Sequence, residues 1–85
     1  PATLASYVGR YELKPGIDLA ITLEGDRLMS QLTGQAKVAV FPETETRFFL
    51  KVVDAQLEFF KDANGAVTHL MLRQGPQNIK GSRQP

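Results

Sequence analysis

Ile17-Asp18-Leu19-Ala20-Ile21-Thr22-Leu23-Glu24 alternates apolar residues with polar or small ones at every step. Side chains on a strand project to opposite faces in turn, so Ile17, Leu19, Ile21 and Leu23 share one face of a half-buried strand. Glu24-Gly25-Asp26 then reverses the chain, because glycine accepts positive φ and aspartate bonds its own backbone. Beyond that turn, Leu28, Ser30 and Leu32 fall on one face of a second strand, and Thr33-Gly34-Gln35 turns it back.

The same period of two extends in both directions. Upstream, residues 7–13 form a strand closed by Pro15-Gly16. Downstream, Val38, Val40 and Phe41 carry one run, ended by Pro42, and residues 42–46 are a polar connection. Residues 47–51 read as a short aromatic strand and Val53-Asp54-Ala55 as a tight reversal. Leu57 and Phe59 alternate with Gln56 and Glu58 in the next strand. Asp62-Ala63-Asn64-Gly65 is the strongest turn signal, since Asn-Gly favours hairpin turns with positive φ. Residues 67–74 make a further strand, Gln74-Gly75-Pro76-Gln77 breaks it, and a weak last strand is expected near residues 78–82. The polar tail, residues 80–85, is expected to fray. Only residues 2–6 have room for a helical turn, and no stretch of twelve residues has helical periodicity.

Eight short strands with turn signals every eight to twelve residues predict an all-β antiparallel meander. An open sheet of this length has two long edges, and closure into a barrel removes them. The expected fold is a small eight-stranded up-and-down, lipocalin-like barrel filled mainly by its own Leu, Ile, Val and Phe side chains.

Composition narrows the possible functions. The 85 residues allow one domain, residues 1–85, with a thin stability margin. With no cysteine, disulfide staples and thiolate zinc sites are excluded. Ten basic and nine acidic residues are spread along the chain, for a net charge of +1. That balance argues against a nucleic-acid footprint and against a polybasic membrane anchor. No apolar run approaches the ~20 residues of a bilayer span, so no membrane insertion is expected. The compartment is left open. A chain that opens Pro1-Ala2-Thr3-Leu4 and enters structured sequence by Tyr7 is expected of a segment cut from a longer protein.

The order of several blocks carries a resemblance. Tyr7-Val8-Gly9-Arg10-Tyr11-Glu12-Leu13 opens the chain, and Gly25-Asp26-Arg27-Leu28 precedes Leu32-Thr33-Gly34-Gln35. Phe41-Pro42-Glu43-Thr44-Glu45-Thr46-Arg47-Phe48-Phe49 leads to Ala55-Gln56-Leu57-Glu58-Phe59 and then to residues 61–67. This series resembles the lipocalin-like domain of unknown function, of the DUF3471 type, at the C-terminal end of serine hydrolases related to β-lactamases and penicillin-binding proteins. The resemblance implies a small barrel appended to a serine-hydrolase domain, its partner, with roles in packing, assembly or access to that domain's active site. A homo-oligomer is compatible with such a role. The hydrolase's Ser-x-x-Lys motif does not occur here: Ser6, Ser30 and Ser82 are followed three residues on by Gly9, Thr33 and Pro85. The chain is therefore expected not to be an enzyme by itself, and no catalytic residue, cofactor or metal ligand is assigned.

His69 is the single histidine, and its flanks suggest an outward bystander on a strand. Glu43 and Glu45 sit in a polar loop with nothing apolar to raise a pKa. Asp62-Ala63-Asn64-Gly65 lacks the later glutamate of a calcium loop. Tyr7 and Tyr11 flank Gly9 on one strand face, either as a packed aromatic pair beside a bulge or close approach, or as a lid or contact surface. In Arg47-Phe48-Phe49, adjacent phenylalanines must face opposite ways, so one is a candidate for outward exposure; Phe59-Phe60 repeats the pattern. Tyr7, Tyr11, Arg47, Phe48, Phe49 and Phe60 thus form the candidate interface, since exposed aromatics beside arginine are favoured at protein contacts. The rival to an accessory domain is a small-ligand or peptide binder using the barrel mouth, for which a cavity of roughly 300 Å³ or more is expected.

Overall fold

The computed structural model describes residues 2–51 and 54–84. One helical turn, α1 (Ala2–Ala5), precedes β1 (Gly9–Lys14), β2 (Ile17–Glu24), β3 (Arg27–Leu32), β4 (Val38–Ala39), β5 (Phe41–Pro42), β6 (Arg47–Leu50), β7 (Ala55–Lys61), β8 (Val67–Gln74) and β9 (Gln77–Arg83). The strands form one antiparallel sheet in the order β4-β3-β2-β1-β9-β8-β7-β6-β5.

The strand count is nine rather than the expected eight. The run that sequence periodicity assigned to a single strand is divided at Val40. On one side, β4 pairs with β3 through Met29↔Ala39 and Ser30↔Val38. On the other, β5 pairs with β6 through Phe41↔Phe49 and Pro42↔Phe48. The two ends of the sheet order are therefore joined through one residue, and the sheet curls into a nearly closed barrel. Val40 is 1% exposed, and its N–H donates to the Leu28 carbonyl at 3.0 Å. Pro42, which has no N–H to give a ladder, ends the run.

The last strand is stronger than its composition suggests. β9 pairs with β8 over six residue pairs and with β1 through Tyr11↔Arg83 and Glu12↔Ser82. The Gln84 N–H donates to the Arg10 carbonyl at 2.7 Å, so the tail is held through residue 84 and the fraying expected from residue 80 is not found among the described residues; Pro85 lies outside them. Arg83 accounts for the difference. Its guanidinium donates to the Val8 carbonyl at 2.7 Å and the Val67 carbonyl at 3.3 Å, tying the chain's end to its beginning. Gly9 permits this, because a Cβ there would lie 3.0 Å from Arg83 Nε. The register irregularity of β1 falls between Glu12 and Lys14, not at Gly9.

Turn chemistry follows the sequence. Gly25 and Gly65 have φ of 64° and 83°. The Asp62 carboxylate accepts from the Asn64 and Ala66 N–H groups at 2.8 and 3.0 Å, which fixes the hairpin between β7 and β8. Of the reversal expected at Val53-Asp54-Ala55, Val53 lies outside the described residues; Asp54 is a turn residue and Ala55 begins β7.

The core is divided lengthwise. Where β7 ends and β8 begins, Tyr7 stacks on Phe59 with centroids 4.3 Å apart. Phe48 meets both rings edge-on, and Tyr11 meets Phe59 edge-on at 5.8 Å. Such pairs contribute about 0.5–1.5 kcal/mol each beyond the area they bury. Leu4 of α1 packs against this end. At the opposite end the inward residues are shorter: Leu19, Leu32, Val38, Leu50, Ala55 and Leu72.

Candidate functional site

Strand alternation sorts the sequence-selected aromatics into two groups. Tyr7 and Tyr11 are 0% exposed and Phe48 is 1% exposed, so these three lie inside the barrel and not on its surface. Their period-two neighbours on β1 and β6 all turn inward together, which is the packed-pair alternative for Tyr7 and Tyr11. The Tyr7 hydroxyl donates to the Glu45 carbonyl at 2.6 Å, pinning the β5–β6 connection across the closed end. The Tyr11 hydroxyl donates to the Tyr7 carbonyl at 2.8 Å. Burial raises the Tyr7 phenol's pKa, with Glu45 adding to the effect. Burial likewise pushes Tyr11 up to about 12; the charge of Arg83 opposes this and Tyr7 adds to it.

Arg47, Phe49 and Phe60 face outward and are partly exposed. Phe49 lies beside Phe41 across the β5–β6 pair, with centroids 5.8 Å apart. Arg27 and Lys51 sit over the Phe41 ring at 4.5 and 4.2 Å. Two strands further on, Phe60 stacks on its cross-strand partner His69, at 4.7 Å and nearly parallel. His69 is thus an outward residue covering an aromatic, with its Nδ1 2.9 Å from the Thr68 hydroxyl. Between the two aromatic pairs, Glu58 bridges Arg47 at 3.5 Å and Arg73 at 3.0 Å. Arg47 Nε is shielded from solvent and has no hydrogen-bond partner among the described residues.

The outer face of β5–β8 therefore presents aromatic rings among Arg27, Arg47, Lys51 and Arg73, with Glu58 as the carboxylate set between the arginines. Phe41 was missed in the sequence. It follows inward Val40 directly, so the same alternation that makes one of Phe48 and Phe49 face outward carries a signal for Phe41.

The short-residue end of the barrel is open. A hollow of about 190 Å³ lies there, below the roughly 300 Å³ expected of a drug-sized site. Ser30, 3% exposed, is the polar member of its inner wall, and Gln35 and Gln74 stand at its rim. No charged residue lines it. Among the described residues there is no group of three or more His, Cys, Asp or Glu side chains placed to hold a metal, and no helix long and apolar enough to cross a membrane.

The chain is 33% identical over 76 residues to penicillin-binding protein 4* of Bacillus subtilis strain 168. That alignment covers 89% of this chain and 17% of the relative, so the chain spans about one sixth of the relative's length. No solved structure matches. The model of a domain of unknown function, DUF3471, matches residues 1–83. With that match running almost end to end, the chain belongs to the DUF3471 family.

Proposed function

We propose that this chain is a non-catalytic accessory domain of a β-lactamase-related serine hydrolase, and that it packs on the hydrolase domain through the outer face of β5–β8. The observation that carries the proposal is the pairing of outward aromatics with arginines on that face. Phe49 and Phe60 are held on rigid strands, flanked by Arg47 and Arg73, and partly open to solvent. Aromatic and arginine side chains are the types enriched at the centres of protein interfaces. The relative's name and the small share of its length that the chain spans support a larger, penicillin-binding-protein-like parent. Docking there would stabilise the hydrolase domain, order its assembly, or narrow the approach to its active site.

Titration calorimetry between this chain and the hydrolase domain of the same polypeptide tests the proposal. Phe49→Ala and Phe60→Ala are each expected to weaken association tenfold or more, the effect of losing about 1.4 kcal/mol or more at a contact. Thr22→Ala, on the outer face of β2, is the control and should leave binding unchanged. Equal affinity for all four proteins, with the folds intact, would refute the assignment.

A further inference from the structure

The hollow at the open end points to a second property, independent of how the outer face is used. The two ends of the barrel are filled differently. Tyr7, Tyr11, Phe48 and Phe59 pack one end solid, and α1 adds Leu4. At the other end no aromatic residue turns inward, and Ala55, 5% exposed, occupies a core position on β7 where a larger side chain would fill the space. The deficit is the hollow of about 190 Å³. Apolar cavities of about 150 Å³ in protein cores are large enough to take up benzene.

The lining specifies a class of ligand. Leu19, Leu32, Val38, Leu50 and Leu72 supply apolar walls, which favour an alkyl or aryl group. The absence of any charged residue from the lining disfavours an ionised group inside, because a buried charge without a partner is strongly penalised. Ser30 breaks the apolar pattern. It belongs to the inward-facing set of β3, and a hydroxyl both donates and accepts. Gln35 and Gln74 add neutral donors and acceptors at the rim. A second groove shares Leu32 and Gln35 with the hollow and continues over Leu13, Ile17 and Ile79, with Lys14 and Thr33 also on its lining outside the hollow itself. The hollow is thus not sealed, and a ligand can extend from it.

We infer that the open mouth of the barrel is a binding site for a small uncharged alkyl or aryl group carrying one neutral hydrogen-bonding head, such as an alcohol or a primary amide. The apolar part lies against Leu19, Leu50 and Leu72, and the head meets the Ser30 hydroxyl. Any larger portion of the ligand leaves over Leu32 and Gln35.

The test is a titration of the isotopically labelled 85-residue chain with benzyl alcohol, toluene and benzoate, followed by amide chemical shifts. Benzyl alcohol should give saturable shifts centred on Ser30, Ala55 and Leu72. Toluene should bind about three- to tenfold more weakly, the effect of one neutral hydrogen bond. Benzoate should bind more weakly than either. Ser30→Ala should bring benzyl alcohol and toluene to equal affinity. Ala55→Leu, which fills the hollow from within, should abolish binding. Because that substitution acts on the core, Ala36→Phe provides a second block from an exposed rim position, and it should abolish binding with the strand amide pattern intact. Absence of saturable shifts, or binding that survives Ala36→Phe undiminished, overturns the site. Tightest binding by benzoate, or an unchanged alcohol-to-toluene ratio in Ser30→Ala, overturns the ligand class.

Discussion

Replacing Tyr11 with phenylalanine removes one buried oxygen and leaves the ring in place. At pH 8 the variant loses the 2.8 Å bond from the phenol to the Tyr7 carbonyl. A neutral hydrogen bond contributes about 0.5–1.5 kcal/mol, and leaving the carbonyl unsatisfied inside the barrel raises the loss to roughly 1–3 kcal/mol. For a domain of this size, each 1 kcal/mol lowers Tm by about 4–8 °C. The pH dependence is the sharper part. Burial pushes the Tyr11 phenol from 10.0 to about 12 in the folded state. Above pH 10 the unfolded chain gives up this proton while the folded chain keeps it. The unfolded state therefore binds fewer protons, and stability falls as pH rises from 10 towards 12. Two pKa units correspond to roughly 3 kcal/mol, a share that Tyr11→Phe does not have to lose. The stability gap between wild type and variant should thus shrink from pH 8 to pH 11.5, as read from urea midpoints at constant m-value. Tyr7 is present in both proteins, so its own raised pKa cancels. A gap that stays constant across that range would refute the burial of the Tyr11 hydroxyl.

Three further outcomes follow from the packing. Gly81→Ala places a Cβ 2.8 Å from Leu13 Cδ2 and 3.2 Å from both Leu70 Cδ1 and Tyr11 Cβ, so thermal unfolding should show a loss of about 1–3 kcal/mol. Gly65→Ala meets no neighbour but forces φ of 83° on a residue with a side chain, so denaturant midpoints should fall by roughly 1–2 kcal/mol from backbone strain alone. Arg83→Met keeps the side chain's bulk and loses the bonds to the Val8 and Val67 carbonyls; about 1.5–3 kcal/mol should disappear, with faster exchange of the Gln84 amide, which bonds Arg10.

Local alternation carried most of the fold. Ile17 to Glu24 reads directly as β2, and Asp62-Ala63-Asn64-Gly65 as the turn into β8, because each depends on neighbours in sequence. The division at Val40 was not legible. Whether Val38 and Phe41 share one strand depends on which strands flank them, and β3 and β6 lie on opposite sides in sequence. The firmness of β9 was hidden for a similar reason. Its residues are polar, and its hold comes from Arg83 reaching Val8, seventy-five positions away. For the outer face, alternation separated Phe49 from Phe48 and Phe60 from Phe59, yet it had no means to set Arg27 over Phe41 or two arginines on Glu58. The hollow was least visible, since it arises from what Ala55 fails to fill when all the strands are assembled.

The proposed docking of the outer face can be measured side chain by side chain with hydroxyl-radical footprinting. Oxidation of Phe49, Phe60 and Met71, the last being the cross-strand partner of Glu58 on β8, would be compared between the isolated chain and the longer hydrolase to which the proposal assigns it, with Met29 on the outer side of β3 as the reference. The account predicts several-fold protection of Phe49, Phe60 and Met71 in the longer protein, with Met29 unchanged. Equal oxidation of Phe49 and Phe60 in both forms would contradict it.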